Sequence, residues 1–229
     1  MRGVIFIKFR HEWKHVITYS DMITIRQRLI AVARQDSHAV DGKYKIRSLY
    51  FDNMTDKVLR EKLDGIGRRE KFRIRYYNDN TGLIHLEKKS KINGLCNKKS
   101  TVLSIQEAQY IVEGQTQWMK MKEDALIQEL YLKMTMQGLR PKTIVDYIRE
   151  PYVYEPGNVR ITLDYDIRTG IQCIDFLNSD CLMIPAGDSG IIMEVKWDEF
   201  LPSIIRDVVQ LSGRRVTAFS KYAACRIYG

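Results

Sequence analysis

Lys71-Phe72-Arg73-Ile74-Arg75-Tyr76-Tyr77 is the stretch on which the fold turns. Side chains two apart on a strand point the same way, so Lys71, Arg73 and Arg75 share one face and Phe72 and Ile74 the other. The next alternating run repeats the pattern, with His85, Glu87, Lys89 and Lys91 against Ile84 and Leu86. The same division recurs along the chain. Arg10, Glu12 and Lys14 oppose Phe9 and Trp13. Arg160, Thr162, Asp164, Asp166 and Arg168 oppose Ile161, Leu163, Tyr165 and Ile167. Glu194 and Lys196 oppose Met193, Val195 and Trp197. Tyr147 and Arg149 form a shorter pair on one face.

A single half-buried strand of this kind normally turns its charges to solvent. The set as a whole argues otherwise. Basic residues outnumber the acids beside them on several strands, and five amphipathic helices need apolar strand faces to pack on. If those helices lie outside, the charged faces point inward, and about eight strands close around a slim charged lumen. Two like charges 4 Å apart repel by about 4 kcal/mol at an effective dielectric of 20. Such a lumen therefore calls for an anion, acidic neighbours or water. A linear polyanion satisfies it along its length, with arginine supplying forked phosphate contacts and lysine point charge.

The expected fold class is α+β, an eight-stranded antiparallel β-barrel tunnel with helices packed outside. Strands are expected at about 8–18, 45–52, 70–78, 83–91, 98–103, 142–149, 159–168, 173–177 and 191–197. The helices are expected from a Ser20 cap to near Arg34, after Thr55 or Asp56 up to Gly65, from the capping box Ser104-Ile105-Gln106-Glu107 to Gly114, from Glu123 to Gln137, and from Leu201 to Leu211 behind Pro202. No linker or repeat interrupts the 229 residues, so one domain over 1–229 is expected.

Composition narrows the partners. The chain has 37 Lys and Arg against 28 Asp and Glu, a net charge of +9, which points to an anionic ligand. No RRM, KH or zinc-finger pattern appears and a duplex cannot thread the lumen, so nucleic acid is not expected. No apolar run nears the roughly 18 residues of a spanning helix. Val4-Ile5-Phe6-Ile7 is too short for a signal-peptide core and is followed by Lys8 and Arg10. Cys96, Cys173, Cys181 and Cys225 form no CxxC pair, so reduced thiols and a cytoplasmic location are expected.

These residues resemble a known family. Arg10-His11-Glu12-Trp13-Lys14, Ile46-Arg47-Ser48-Leu49-Tyr50-Phe51-Asp52-Asn53, Lys71 to Tyr77, Leu86-Glu87-Lys88-Lys89, Tyr147-Ile148-Arg149, Arg160 to Asp164, Met193-Glu194-Val195-Lys196 and Phe219-Ser220-Lys221-Tyr222 follow one another as in the polyphosphate polymerase (VTC) domain of the triphosphate tunnel metalloenzyme superfamily. The resemblance implies a polyphosphate polymerase-like phosphotransferase that moves the γ-phosphoryl of ATP onto a polyphosphate chain and releases ADP. It implies that Lys14, Arg73, Arg75, Lys89, Arg149, Arg160 and Lys221 carry the reaction. Arg47, Lys98 and Lys196 join them in binding phosphate, with Lys99 open as an alternative to Lys98. Mn²⁺ or Mg²⁺ is expected on Glu194, with Glu12 and Glu87 as supporting acids. ATP and inorganic polyphosphate or triphosphate are the implied partners, and a membrane-protein partner would be encoded separately.

Other assignments complete the reading. The triphosphate-hydrolysing branch begins with Glu-x-Glu-x-Lys, and Arg10 in the first acid position favours the polymerase-like branch by removing a metal ligand and adding a base. The alternatives are a tunnel triphosphatase and a non-catalytic polyphosphate- or nucleotide-binding module. His85 is open between the lumen and an ordinary strand position. Asp52 reads as a turn residue, Asp164 and Asp166 as structural partners of arginines, Trp13 and Trp197 as outer-face packing, and Arg214-Arg215 as a surface pair.

Overall fold

Alternation of apolar and charged side chains becomes strands nearly everywhere it was expected. The computed structural model describes residues 9–188 and 190–227; Val4–Ile7 and the first residue of the 8–18 strand lie outside them. The strands are β1 (His11–Ile17), β2 (Arg34–Gln35), β3 (Tyr44–Asp52), β4 (Arg68–Tyr77), β5 (Asn80–Ile92), β6 (Leu95–Leu103), β7 (Arg140–Tyr154), β8 (Val159–Thr169), β9 (Ile184–Pro185) and β10 (Ile191–Trp197). The helices are α1 (Tyr19–Val32), α2 (Lys57–Leu63), α3 (Ile105–Val112), α4 (Ala125–Met136), α5 (Ser203–Val209) and α6 (Lys221–Arg226). The class is α+β. Among the described residues no helix is long and apolar enough to cross a membrane.

Eight strands run in the order β1-β10-β8-β7-β3-β4-β5-β6, with short β2 and β9 attached to β7 and β8. Every pairing is antiparallel. The closed barrel needs a correction: no ladder joins the edge strands β1 and β6. Among the described residues the edges meet at a single bridge, where Arg10 N–H donates to the Cys96 carbonyl (2.9 Å) and Cys96 N–H donates back (3.1 Å). The sheet thus curls around a lumen without sealing its seam.

The helices cover the apolar outer faces. Ile25 and Leu29 of α1 and Ile205 of α5 are fully buried with Ile161, Leu163, Met193, Val195 and Trp197. On the other side, α3 and α4 bury Ala108, Ile111 and Leu130 with Phe72, Ile74, Ile84 and Leu86. Burying one such large side chain stabilises the fold by about 1.5–3 kcal/mol, far above what a solvated charged face returns, so the helices settle outside. Trp13 meets Trp197 edge-on at 4.7 Å in the same outer layer, as packing residues.

Local chemistry sets the ends. Ser104 and Glu107 form the expected capping box of α3 (3.2 and 2.8 Å). For α1 the cap is Thr18, not Ser20, because Thr18 and Asp21 exchange two hydrogen bonds, of 2.9 and 3.2 Å, where Ser20 offers none of this reciprocity.

Two expectations are overturned. Residues 173–177 form no strand: the segment turns, and Phe176 becomes a buried plug against Tyr76 at 4.8 Å. The same loop brings Cys173 and Cys181 side by side, while Cys96 and Cys225 are buried elsewhere among the described residues. The inward faces are also not charged throughout. Tyr44, Ile46 and Tyr50 of β3 bury with Val145, Ile192 and α6, whose six residues are too short to show a helical period.

Candidate functional site

The lumen gathers its charged side chains in three linked groups. On β4 and β5, Arg73 Nε donates to Glu87 Oε2 (2.7 Å) and its Nη1 to the Tyr50 hydroxyl (2.7 Å). Arg75 is 2% exposed and reaches Ser48 Oγ (3.0 Å) and the Tyr147 hydroxyl (2.9 Å). Lys98 closes this group on Glu87 Oε1 at 3.0 Å. The register that pairs Lys89 with Lys98 turns Lys99 to the other face, which settles the choice between the two lysines.

The second group lies on β1 and β10. Lys89 holds Glu12 at 2.7 Å. Lys14 and Lys196 hold Glu194 at 3.4 and 3.2 Å, and each also approaches Glu12, at 3.7 and 3.8 Å. The third group centres on Asp164, fully buried, which accepts a forked pair from Arg149 (2.7 and 2.8 Å) and a bond from Lys221 (2.5 Å). Arg149 links to the second group through Glu194 at 3.5 Å. Lys221 comes from α6, which a Ser220 cap and the Tyr222–Asp52 hydrogen bond (2.7 Å) hold inside the sheet.

Electrostatics follow from burial against charge. Burial alone would raise Glu194, but Lys14 and Lys196 outweigh it and hold the carboxyl well below its ordinary range. For Glu87, Arg73, Arg75 and Lys98 do the same. Asp164 is held at about 2, since Arg149 and Lys221 outweigh its burial. Lys71, with no carboxylate partner among the described residues, is pushed down to about 7, by burial first and then by Lys89, Lys14 and Arg73. Tyr50 is drawn down to about 7, its burial overcome by Arg73, Lys71 and Arg75.

Two expected phosphate ligands fall outside this constellation. Arg47 points through the opposite face of β3, where it forks onto Asp146 (2.8 to 3.2 Å) and donates to the Asn178 carbonyl (2.5 Å). Alternation along β3 puts it with Leu49 and Phe51, not with Ser48 and Tyr50. Arg160 stands on the inward register, but Asp36 takes its guanidinium at 2.9 Å with the side chain 38% exposed. Arg10 adds no charge to the lumen either: it pairs with Asp198 at 2.8 Å beside the Asn158 carbonyl. Asp52 is an anchor, accepting from the backbone N–H groups of Asn53, Val58 and Leu59. Asp166 pairs with Arg168 at 2.9 Å. His85 stands in register with Arg75 on the lumen face, and burial lowers its titration point.

Sequence reading missed Tyr50, Lys71 and Tyr147 as members of the site. Lys71 was legible from its spacing to Arg73 and Arg75. Tyr147 was likewise legible from its place beside Arg149, whereas Tyr50 was not, because a phenol carries no charge signature. At the α2 end the lumen opens into a cavity of about 90 Å³ lined by Lys14, Lys62, Arg69, Lys71, Lys89 and Lys91, among others.

Among the described residues no three His, Cys, Asp or Glu side chains converge as a metal-ligand set. Glu12 and Glu194 do adjoin, bridged by Lys14 and Lys196. Glu87 sits apart with Arg73, Arg75 and Lys98, and does not fit a metal role.

The family model of the VTC domain matches residues 9–227. The chain belongs to the VTC-domain family. No curated protein sequence matches it. Among solved structures it is similar to the PH1012 protein of Pyrococcus horikoshii, at 14% identity, with 95% of this chain and 99% of that one covered and a TM-score of 0.51. It is also similar to a Bacillus halodurans protein described as a candidate adenylate cyclase, at 12% identity, covering 88% and 86%, with a TM-score of 0.51. At such identities these likenesses concern the fold. Family and lumen together make this VTC domain a tunnel protein that handles phosphate.

Proposed function

We propose that this VTC domain is a polyphosphate polymerase that transfers the γ-phosphoryl of ATP to the end of a polyphosphate chain. One observation carries the reading: nine basic side chains (Lys14, Lys71, Arg73, Arg75, Lys89, Lys98, Arg149, Lys196 and Lys221) line one lumen against four carboxylates, Glu12, Glu87, Asp164 and Glu194. That surplus suits a ligand with several negative charges in a row.

In the reaction, a terminal oxygen of the chain bonds to the γ-phosphorus as the β–γ bridging P–O bond breaks, and ADP leaves with the bridging oxygen. The attacking phosphate is already ionised near neutral pH, so positioning and charge neutralisation are the main demands. Arg73, Arg75 and Arg149 would orient the phosphates through forked bonds, and Lys14, Lys89, Lys196 and Lys221 would offset charge. Mg²⁺ or Mn²⁺ would be held by Glu194 and Glu12 with substrate oxygens completing the shell, a donor set that suits these ions. When bound, the ion supplies Lewis-acid neutralisation of the phosphoryl oxygens.

The test is incubation with ATP and Mn²⁺, following ADP, orthophosphate and polymer together. ADP and polymer are expected from the parent, and a loss of about a hundredfold or more from Glu194→Gln. Orthophosphate without polymer would instead indicate a triphosphatase. A second reading, a non-catalytic polyanion-binding module, draws on the lysines already paired to Glu12 and Glu194; binding without turnover would establish it.

The Lys71–Tyr50 pair gives this reading a pH signature. Raising pH through about 7 to 8 removes the Lys71 charge and adds a phenolate at Tyr50, and both changes repel an anion. Tripolyphosphate affinity is therefore expected to fall by about tenfold between roughly pH 6.5 and 9. The ligand-free protein should move the other way. Both groups titrate below their unfolded values, so the unfolded chain binds more protons in this window and stability rises with pH. Calorimetric titration and urea melts across the range check the two slopes, and an affinity independent of pH would sink the argument.

A further inference from the structure

Beyond the lumen, a groove of about 470 Å³ runs over the outer face of β4, β5 and β6. It shares Val58, Arg69, Glu70 and Lys71 with the cavity at the α2 end, so the two are continuous over the lip of β4. Seven lysines and arginines line it against three acids, Asp52, Glu61 and Glu70. Those acids are already engaged. Asp52 caps α2, Glu61 pairs with Lys57 at 3.8 Å, and Glu70 is shared between Lys88 (2.7 Å) and Lys133.

What remains is unbalanced positive charge. Arg68 and Lys99 have no acidic partner among the described residues. Lys99 also stands directly opposite Lys88 in the β5–β6 register, and like charges across a strand pair destabilise it. Ser90, in register beside them, supplies a neutral hydrogen-bonding group along the groove. Nothing in the packing of the fold calls for cations at Arg68 and Lys99, whose side chains stand exposed.

We propose that this groove is an outer subsite for inorganic polyphosphate. The end of the chain lies in the tunnel, the chain crosses the lip at Arg69 and Lys71, and the phosphates that follow lie against Arg68 and Lys99. The inference rests on the tunnel reading above and adds to it a preference for chain length. A ligand of three phosphates fills the tunnel and never reaches the groove. A long chain engages both, and the second contact is intramolecular, so its effective concentration is high.

The experiment compares the parent with the double variant Arg68→Ala, Lys99→Ala. Both positions are exposed, so the variant is expected to fold. Calorimetric binding of tripolyphosphate and of long-chain inorganic polyphosphate is measured at two salt concentrations. The variant is expected to bind the long chain about tenfold more weakly and with a shallower salt dependence, since fewer counterions are released, while tripolyphosphate binding stays unchanged. Equal affinity of parent and variant for the long chain would overturn the subsite and leave the tunnel reading standing. A parent that binds neither ligand would overturn both. A single-stranded oligonucleotide that competes with the long chain in the parent, and loses that ability in the variant, would overturn the assignment to polyphosphate.

Discussion

Replacing Arg73 with alanine is expected to weaken tripolyphosphate binding by about 10- to 100-fold. Arg73 is one of the buried forks of the lumen, and its present partners are the Glu87 carboxylate and the Tyr50 hydroxyl. A phosphate taking the place of either would gain charge-assisted hydrogen bonds, each contributing about 1.5–3 kcal/mol, and every 1.4 kcal/mol is about a factor of ten in affinity. The fold should survive, because Glu87 keeps Lys98 at 3.0 Å and Arg75 at 3.8 Å. Arg73→Lys should recover only part of the loss, since lysine restores charge without the planar fork. Titration calorimetry reads both variants. Full affinity in Arg73→Ala would show that the anion does not lie along β4.

Arg47→Leu is the opposite experiment. Arg47 and Asp146 are 2% and 6% exposed and face away from the lumen. Removing the arginine leaves a buried carboxylate without its partner, at a cost of about 3–5 kcal/mol. For a chain of this size each kcal/mol lowers the midpoint by about 2–4 °C, so a drop of roughly 6–20 °C is expected, with tripolyphosphate affinity unchanged. Lost affinity with an unchanged midpoint would return Arg47 to the phosphate-binding set. The contrast between Arg47 and Arg73 is therefore a direct reading of which face of the sheet meets the ligand.

Both arginines sit in alternating strand motifs, and the difference between them marks where sequence reading stops. On β4 the alternation is unambiguous, because Phe72 and Ile74 fix the outer face and Arg73 and Arg75 must take the other. On β3 both faces are apolar, with Tyr44, Ile46 and Tyr50 on one side and Leu49 and Phe51 on the other. An arginine between two buried faces carries no mark of which one it serves. Arg160 stands apart from the constellation for another reason. Its inward register was legible, but its ion pair with Asp36 joins residues 124 apart, and no local pattern encodes such a contact. The 173–177 alternation misled because five residues can alternate by chance, and Phe176 gains more by plugging against Tyr76 than a strand there would return.

The sequence by itself determined the α+β class, eight main strands, the outer position of α1, α3, α4 and α5 and the inward position of Lys14, Arg73, Arg75, Lys89, Arg149, Glu194 and Lys196. These follow from periods of two and of 3.6, which are local properties of the backbone. Only the tertiary structure decided that the sheet edges meet, among the described residues, at one Arg10–Cys96 bridge, that α6 enters the lumen with Lys221, and that Tyr50 and Lys71 share one end of the site. It also separated Glu87 from the adjoining Glu12 and Glu194. Those features depend on how far the sheet curls and which distant side chains meet when it does. The energy that sets them, burial balanced against charge, is a property of the assembled lumen and of no segment within it.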